Sequence, residues 1–214
     1  MKADLHGHTK YSFDAITSPR NYIKAAKKSG LDAIAVTDHN HAKAWEELKQ
    51  LSKQHKIGLI LGEEIKARIY DRKTGDVIGL FLTEAIAPSD PLEVMDRIRQ
   101  QGGLVVIPHP FDASRSFRMP EIIRKADLVE VFNSRVFSGE ANRKALEAAK
   151  KYRLGFSAGS DSHMPREIGR AFVRADCNST EGLYKLLKKG KVRPEGRRSS
   201  VWVHAVSTLA KLRR

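Results

Sequence analysis

The chain has 214 residues and a mass of 24.0 kDa, with 41% hydrophobic and 30% charged residues. This composition excludes a disordered or fibrous chain and is typical of a globular protein that buries a sizeable core. The formal net charge of +14 predicts either attraction of polyanions and phosphorylated molecules, or a lysine-rich surface that only aids solubility.

Short apolar runs alternate with amphipathic stretches of helical period, which predicts strands and helices in turn. The first strand, KADLH, precedes the helix SPRNYIKAAKKSG, in which Ser18 caps the start, Pro19 takes the first helical position and Gly30 ends it. The further predicted strands are LDAIAVTD, IGLILGEEI, DVIGLFL, GLVVIPHP, DLVEVFNS, LGFSAGSDS and GRAFVRAD. The further predicted helices are HAKAWEELKQLSKQHK, DPLEVMDRIRQQGG, GEANRKALEAAKKYR and STEGLYKLLKKG.

This alternation predicts an α/β fold, a parallel sheet with helices outside that is either doubly wound or closed as a barrel. The stretch ARIYDRKTGDVIGLFL is an exception, because a turn at Gly75 and Asp76 predicts an antiparallel hairpin. In either architecture, ligands collect at the carboxyl ends of the strands. We expect a single domain over residues 1–214, with a basic segment from about residue 190 packed on it or extending from it.

Nearly every predicted strand ends in a side chain that can bind a metal. His6 and His8 are two residues apart in DLHGHTKYSFDA, so an extended strand turns both to one face, and Asp161 and His163 repeat this spacing. The strand ends between them carry Asp38, His39, Glu64, His109 and Asn133. A single His-x-His pair is weak evidence, but five of the 8 histidines at strand ends predict a metal site. The remaining histidines, His41, His55 and His204, are expected to be ordinary surface or core residues.

The ordered set DLHGHTKYSFDA, VTDHN, GEE, PHP and GSDSH resembles the polymerase and histidinol phosphatase (PHP) family, over residues 4 to 163. The resemblance implies a distorted (β/α)7 barrel and phosphoester hydrolysis with two or three divalent ions at its carboxyl end. It implies manganese, zinc or iron in that site, with magnesium as an alternative.

The resemblance also implies a role for each matching position. The ligands would be His6, His8, Glu64 and Asp161 for a first ion, Glu64 and His109 for a second, and Asp14, His39 and His163 for a third. The catalytic set within them is His6, His8, Glu64, Asp161 and His163. Behind these ligands, Asp4, Asp38 and Asn133 are expected to orient histidines or waters.

One position departs from the family pattern. The family often has a histidine where the strand DVIGLF begins, and here that residue is Asp76. A carboxylate in place of an imidazole favours harder ions such as manganese over zinc. We expect Asp76 to be a ligand, with a solvated turn residue as the alternative.

Converging carboxylates and imidazoles are compatible with one pocket when cations compensate their charge. Two ions lower the pKa of a bound water from ~15.7 to about 7, which predicts hydrolysis without a side-chain nucleophile. The sequence has no Walker or G-x-G-x-x-G motif, and its G-x-S-x-G match, GFSAG at residues 155–159, lies inside the predicted strand LGFSAGSDS and not at a strand-to-helix turn, so neither offers a competing mechanism. Arg115, Arg135 and Arg166 follow candidate ligands, and we expect at least one to bind a substrate phosphate, the alternative for each being a solvated surface residue.

The C-terminal segment KLLKKGKVRPEGRRSSVWVHAVSTLAKLRR is basic and predicts a helix from about Val201. Its lysines and arginines suit a nucleic-acid backbone. Its apolar stripe is expected instead to close one end of the barrel, with the residues Val201, Val203, Val206 and Leu209.

Three functions remain open. The first is a metal-dependent phosphoesterase acting on a phosphorylated small molecule or nucleotide, and the second is a nuclease that trims nucleic-acid ends. The third is a non-catalytic RNA-binding barrel resembling a ribonuclease P subunit, which has no need of so complete a ligand set. The single cysteine, Cys177, excludes a disulfide framework, and no stretch approaches the ~20 apolar residues of a membrane span, so we expect a cytoplasmic protein.

Overall fold

The computed structural model describes residues 1–69, 72–112, 119–200 and 202–212. The strands are β1 (Lys2–Asp4), β2 (Ala33–Val36), β3 (Gly58–Ile69), β4 (Arg72–Leu80), β5 (Leu104–Ile107), β6 (Leu128–Asn133), β7 (Gly155–Gly159), β8 (Ala171–Arg174) and β9 (Arg193–Gly196). The helices are α1 (Pro19–Lys28), α2 (Trp45–His55), α3 (Pro91–Gln100), α4 (Pro120–Ile123), α5 (Gly139–Tyr152), α6 (Thr180–Lys188) and α7 (Trp202–Leu212).

The helix starts follow local capping chemistry. The Ser18 side chain accepts a hydrogen bond from the backbone N–H of Asn21, and Pro19 is the first residue of α1, as predicted. Asp90 caps α3 in the same way through the N–H of Leu92. These caps satisfy backbone donors that a helix leaves unpaired at its first turn.

The strands β1 to β7 lie in sequence order, and β4 runs against its neighbours β3 and β5. The neighbouring pairs from β1 to β3 and from β5 to β7 are parallel. The predicted hairpin is therefore confirmed, but the prediction of its turn at Gly75 and Asp76 is wrong. These residues lie within β4, opposite Ala67 and Lys66, because strand pairing continues to Ile69. The predicted strand that ends near Glu64 is likewise too short.

The sheet closes into a barrel between the segment after β1 and the segment at β7. The Leu5 N–H donates to the Ala158 carbonyl at 3.2 Å, and the Asp161 N–H donates to the His6 carbonyl at 2.8 Å. A Cβ atom at Gly159 would lie 2.2 Å from the His6 Cβ, so this close approach requires glycine. The predicted barrel of seven strands is confirmed, and the sheet continues beyond β1 with β8, which is antiparallel to β1, and β9, which is antiparallel to β8.

Apolar side chains pack on both faces of the barrel wall. The outer layer lies under the helices and includes Ile34, Leu48, Ile98, Val129 and Ala145. The inner cluster occupies one end of the lumen, where Leu183 and Leu187 of α6 pack against Leu5, Ile60 and Leu128. The opposite end of the lumen is lined by ionisable side chains.

The C-terminal helix α7 packs through Val203 and Ala210, which are buried. Leu209 is 58% exposed, so the predicted apolar stripe is wrong at this residue. The stripe faces the barrel one position later, at Ala210. The side chains of Val201 and Val206 lie outside the described residues. Across the described ranges, no helix combines the length and the apolar character that crossing a membrane requires.

Candidate metal centre

The predicted ligands meet at the carboxyl end of the barrel lumen. Parallel strands end at the same edge of a sheet, which brings together side chains that are far apart in sequence. Because β4 is antiparallel, its first half reaches this same edge and carries Asp76 there. The predicted ligands at this edge are buried or nearly so: His6, His8, Asp14, His39, Glu64, Asp76, His109, Asp161 and His163.

The centre of the cluster is a pair of imidazoles that face two carboxylates. The Nε2 atoms of His6 and His8 are 3.2 Å apart. The Glu64 Oε2 atom lies 3.6 Å from the His6 Nε2 and 3.4 Å from the His8 Nε2. The Asp161 Oδ1 atom lies 3.6 and 3.5 Å from the same two nitrogens. Two nitrogen lone pairs and two carboxylates around one point are the donor chemistry of a divalent-cation site.

Four further predicted ligands, His109, His39, Asp14 and His163, adjoin this centre. The His109 Nε2 lies 3.2 Å from the Glu64 Oε1, and the His39 Nδ1 lies 3.0 Å from the Glu64 Oε2. The Asp14 Oδ1 lies 3.2 Å from the His163 Nε2. Three sets of ligand atoms, each within 4.8 Å of one another, are His6, His8 and Asp161; His6, Glu64 and His109; and His8, His39 and His163. Glu64 thus lies between the sets, although the assignment of ligands to individual ions stays a prediction.

Glu130 supports the cluster, and the sequence analysis missed it. Its Oε1 atom lies 2.9 Å from the His6 Nδ1, and its Oε2 accepts hydrogen bonds of 2.9 Å from the His109 N–H and the Asn133 Nδ2. Asn133 also donates to the Asp161 Oδ2 at 3.2 Å. The signal in the sequence was a lone acid inside the apolar run LVEVFN, on the face of β6 that points into the lumen.

Asp38 is linked to His8 by hydrogen bonds through the Ser12 hydroxyl. It accepts hydrogen bonds from the Ser12 hydroxyl at 2.6 Å and from the Thr9 N–H at 2.8 Å. The Ser12 Oγ lies 3.2 Å from the His8 Nδ1. Asp38 therefore fixes the group that contacts the His8 ring.

Asp4 is buried behind His6 and bonds to the backbone. It accepts hydrogen bonds from the N–H groups of Ser160 at 2.8 Å and Gly169 at 2.9 Å, and a longer one from that of His6. Burial raises the pKa of Asp4 to about 6, against these hydrogen bonds. Asp4 thus holds the backbone where the barrel closes.

The cluster divides its imidazoles between charged and neutral forms. Burial opposes the charged form of His6, but Glu130, Asp161 and Glu64 together raise its pKa well above the usual range. Burial and the neighbouring imidazoles lower the pKa of His8 to about 4. Despite burial, Glu64 and Asp14 raise the pKa of His39 to about 9. Without cations, protons therefore compensate part of the carboxylate charge.

Two of the predicted ligands have backbones that L-residues rarely adopt. The φ angles of His109 and Asp161 are +32° and +53°. Such conformations persist where the surrounding structure over-determines them, and they are concentrated at functional sites.

A cavity of about 400 Å³ opens onto the cluster. Its wall includes Asp14, His39, Glu64, Asp76 and His163. It also includes side chains that the sequence analysis did not place there: Phe13, Lys66, Phe137, His204, Ser207, Thr208 and Lys211. His204 was expected to be an ordinary surface or core residue, and α7 places it at the cavity wall.

The three arginines predicted to bind phosphate do not lie together at the metal cavity. Arg135 reaches the cavity, but its buried guanidinium forms hydrogen bonds of 3.0 and 2.9 Å to the Glu167 carboxylate. Arg166 is exposed and lines a different cavity, of about 800 Å³. Arg115 lies outside the described residues.

Residues 4–190 match the family model for the PHP domain. The chain therefore belongs to the PHP domain family. It is 38% identical over 164 residues to an uncharacterized protein from Methanocaldococcus jannaschii, covering 71% of this chain and 92% of that protein. A protein from Shewanella oneidensis named a probable phosphatase is 28% identical over 206 residues, with 80% of each chain covered.

Among solved structures, the fold is similar to a two-domain protein from Bacteroides vulgatus that contains a predicted PHP-like metal-dependent phosphoesterase. The TM-score is 0.74 with 22% sequence identity over 92% of this chain. The chain spans 65% of the length of that protein.

Proposed function

We propose that the protein is a metal-dependent phosphoesterase that hydrolyses a phosphomonoester or phosphodiester with two or three divalent ions at the cluster. The observation that carries this proposal is the 3.2 Å separation of the His6 and His8 Nε2 atoms, opposite the carboxylates of Glu64 and Asp161. Family membership and the similarity to a probable phosphatase support it.

The donor set fits intermediate divalent ions. Mixed imidazole and carboxylate ligands suit manganese, zinc or iron, and the carboxylate of Asp76 at the cavity wall favours manganese. We infer that the ligands are the nine side chains named above. Divalent ions held there would supply a bound water of lowered pKa and would stabilise negative charge on the phosphoryl oxygens.

The chain's own residues orient these ligands. Glu130 accepts a hydrogen bond from the His6 Nδ1, so the His6 Nε2 faces Glu64 and Asp161, where a divalent ion would displace its proton. Ser12 occupies the corresponding place at the His8 Nδ1, and Asn133 holds Asp161. These contacts keep the ligand atoms in one arrangement before substrate binds.

Metal analysis and hydrolysis of 4-nitrophenyl phosphate and bis(4-nitrophenyl) phosphate, with manganese, zinc or magnesium, test the proposal. We expect His8→Ala and Asp161→Ala to lower the rate by more than about 100-fold, since residues that only support ligands already contribute 10–100-fold. His55→Ala, which removes a histidine at the end of α2, is the matched control and should retain the rate. Full activity in either cluster variant would contradict the proposed site.

A second candidate function is a nuclease acting on nucleic-acid ends. The cavity of about 800 Å³ is a basic groove, lined by Lys2, Lys28, Arg166, Arg170 and Arg197 against one acid, Glu195. Such a surface suits a phosphate backbone, and its binding would weaken as salt is raised. Inhibition of 4-nitrophenyl phosphate hydrolysis by short oligonucleotides, measured at several salt concentrations, tests this candidate. RNA binding without metal or hydrolysis would instead support a non-catalytic scaffold.

A further inference from the structure

Helix α7 forms one wall of the metal cavity although it lies beyond the part of the chain that matches the family model. The match ends at residue 190, and α7 begins at Trp202. From this helix the wall receives His204, Ser207, Thr208 and Lys211. The shape and charge of the cavity therefore depend on a segment that the family pattern does not specify.

A buried ion pair fixes α7 in place. Arg135 donates to the Ser207 Oγ at 2.8 Å and to the Val203 carbonyl at 3.4 Å, while its other nitrogen bonds to Glu167. Glu167 in turn accepts a hydrogen bond of 3.0 Å from the backbone N–H of His163. One buried pair thus holds both the helix and a predicted metal ligand, so α7 belongs to the site.

The outer part of the cavity places two ammonium groups beside one aromatic ring. The Lys66 Nζ lies 3.9 Å from the centre of the Phe13 ring, and the Lys211 Nζ lies 5.4 Å from it. Lys211 also approaches the Asp14 Oδ2 at 3.8 Å, with 51% of its side chain exposed. Asp14 is buried, but the Lys211 ammonium is half exposed and far from it for an ion pair, so the pair contributes little to stability and Lys211 can exchange Asp14 for a ligand.

The acids in this wall are Asp14, Glu64 and Asp76, and all three are predicted metal ligands. When cations compensate their charge, Lys66 and Lys211 contribute positive charge to this wall. The Phe13 ring lies between the lysines and the cluster, because it also stacks on His39 with the ring centres 5.1 Å apart. The exposed Phe137 ring stacks on His204 at 4.0 Å, so both rings give this wall apolar surface. The cavity is thus suited to a ligand with an anionic group at each end and a carbon skeleton between them.

We propose that α7 is the specificity wall of this cavity, where Lys211, with Lys66, binds a second anionic group of the substrate. This inference rests on the proposed function and names its substrate class, a small phosphorylated molecule that carries a further carboxylate or phosphate. The phosphoryl group that reacts lies at the metal cluster, and the second anionic group lies at the lysines.

Two phosphonates that cannot be hydrolysed test the inference by binding alone. Phenylphosphonate has one anionic group, and 4-phosphonobenzoate adds a carboxylate at the far side of the ring. We expect calorimetry with manganese-loaded protein to give about tenfold tighter binding of 4-phosphonobenzoate, since a charge-assisted contact is added. Lys211→Met should reduce this ratio to less than about twofold, and Lys211→Glu should reverse the preference.

The control is Lys53→Met, which makes the same change of charge on α2, away from the cavity, and should keep the full ratio. Equal affinity of the unaltered protein for both compounds, including failure to bind either, would overturn the inference. So would an unchanged ratio in Lys211→Met. If the protein hydrolyses 4-nitrophenyl phosphate but does not prefer 4-phosphonobenzoate, the inference is wrong and the proposed function stands. If it prefers 4-phosphonobenzoate but does not hydrolyse 4-nitrophenyl phosphate, the proposed function is contradicted and the binding of a second anionic group stands.

Discussion

The two ends of the barrel lumen are built by the same strands and lined by opposite kinds of side chain. On β6, Leu128 belongs to the apolar cluster, and Glu130, two residues further along the same face, contacts His6. On β3, Ile60 and Glu64 differ in the same way. All four side chains are buried.

Burial has opposite consequences at the two ends. Removing apolar surface from water stabilises the fold by about 25 cal/mol per Å². Burying carboxylates and imidazoles costs free energy unless charges are paired or bound to cations. The apolar end therefore supplies stability, whereas the ionisable end costs free energy that bound cations would offset.

The largest effect on stability is expected at the apolar end. Leu128→Ala should lower the free energy of unfolding by about 3 kcal/mol, because it removes buried methyl groups and leaves a cavity. Urea unfolding measures this change, and calorimetry should find metal affinity nearly unchanged. Leu209→Ala on the exposed side of α7 is the matched control, expected to stay within about 0.5 kcal/mol. Equal losses in both variants would contradict this division of the lumen.

A change at the ionisable end should act on metal binding instead. Glu130→Gln weakens the acceptor that orients His6, so we expect metal affinity to fall by about 10–100-fold, equivalent to about 1.4–2.7 kcal/mol. Its unfolding free energy without metal should change less than that of Leu128→Ala. Glu121→Gln in α4, an exposed position, serves as the control. Metal affinity unaltered by Glu130→Gln would remove Glu130 from the site.

The smallest expected effect is a proton linkage. The pKa of His39 is raised to about 9, so at pH 7 this imidazole carries a proton that a metal must displace. Metal binding should therefore release protons, and affinity should rise with pH below pH 9, by about tenfold per unit for each proton released. Calorimetry in two buffers of different ionisation enthalpy counts the protons, and His39→Ala should release one fewer. Binding without proton release would contradict the pKa assigned to His39.

Local patterns in the sequence were sufficient for most of the fold. Helix α1 starts at Pro19 after a Ser18 cap, as the residues predict, and the apolar runs predict β1 to β8. The hairpin turn was misplaced because Gly75 and Asp76 are turn-forming residues that here pair with β3. Pairing with a neighbouring strand outweighed their local preference.

The metal site, like the fold, was predicted where local patterns decide and missed where tertiary contacts decide. The spacing of His6 and His8 predicts a shared face, and the two side chains do meet, although β1 ends at Asp4 before both. The other predicted ligands follow strand ends that a barrel gathers at one edge. Glu130 was missed because it lies inside an apolar run, where no spacing links it to His6. Lys211 was missed because only the packing of α7 against Arg135 brings it near Asp14.

Residue type and periodicity alone specify the strands, the helices and their caps, because these depend on neighbours a few residues away. They also specify which strand ends carry ionisable side chains. Contacts between residues more than a hundred positions apart decide which of those groups meet within 3 to 4 Å. They also decide which helix closes the cavity around these groups. Such contacts arise only when the barrel closes, and closure at Gly159 against His6 brings Asp161 to the first histidine pair.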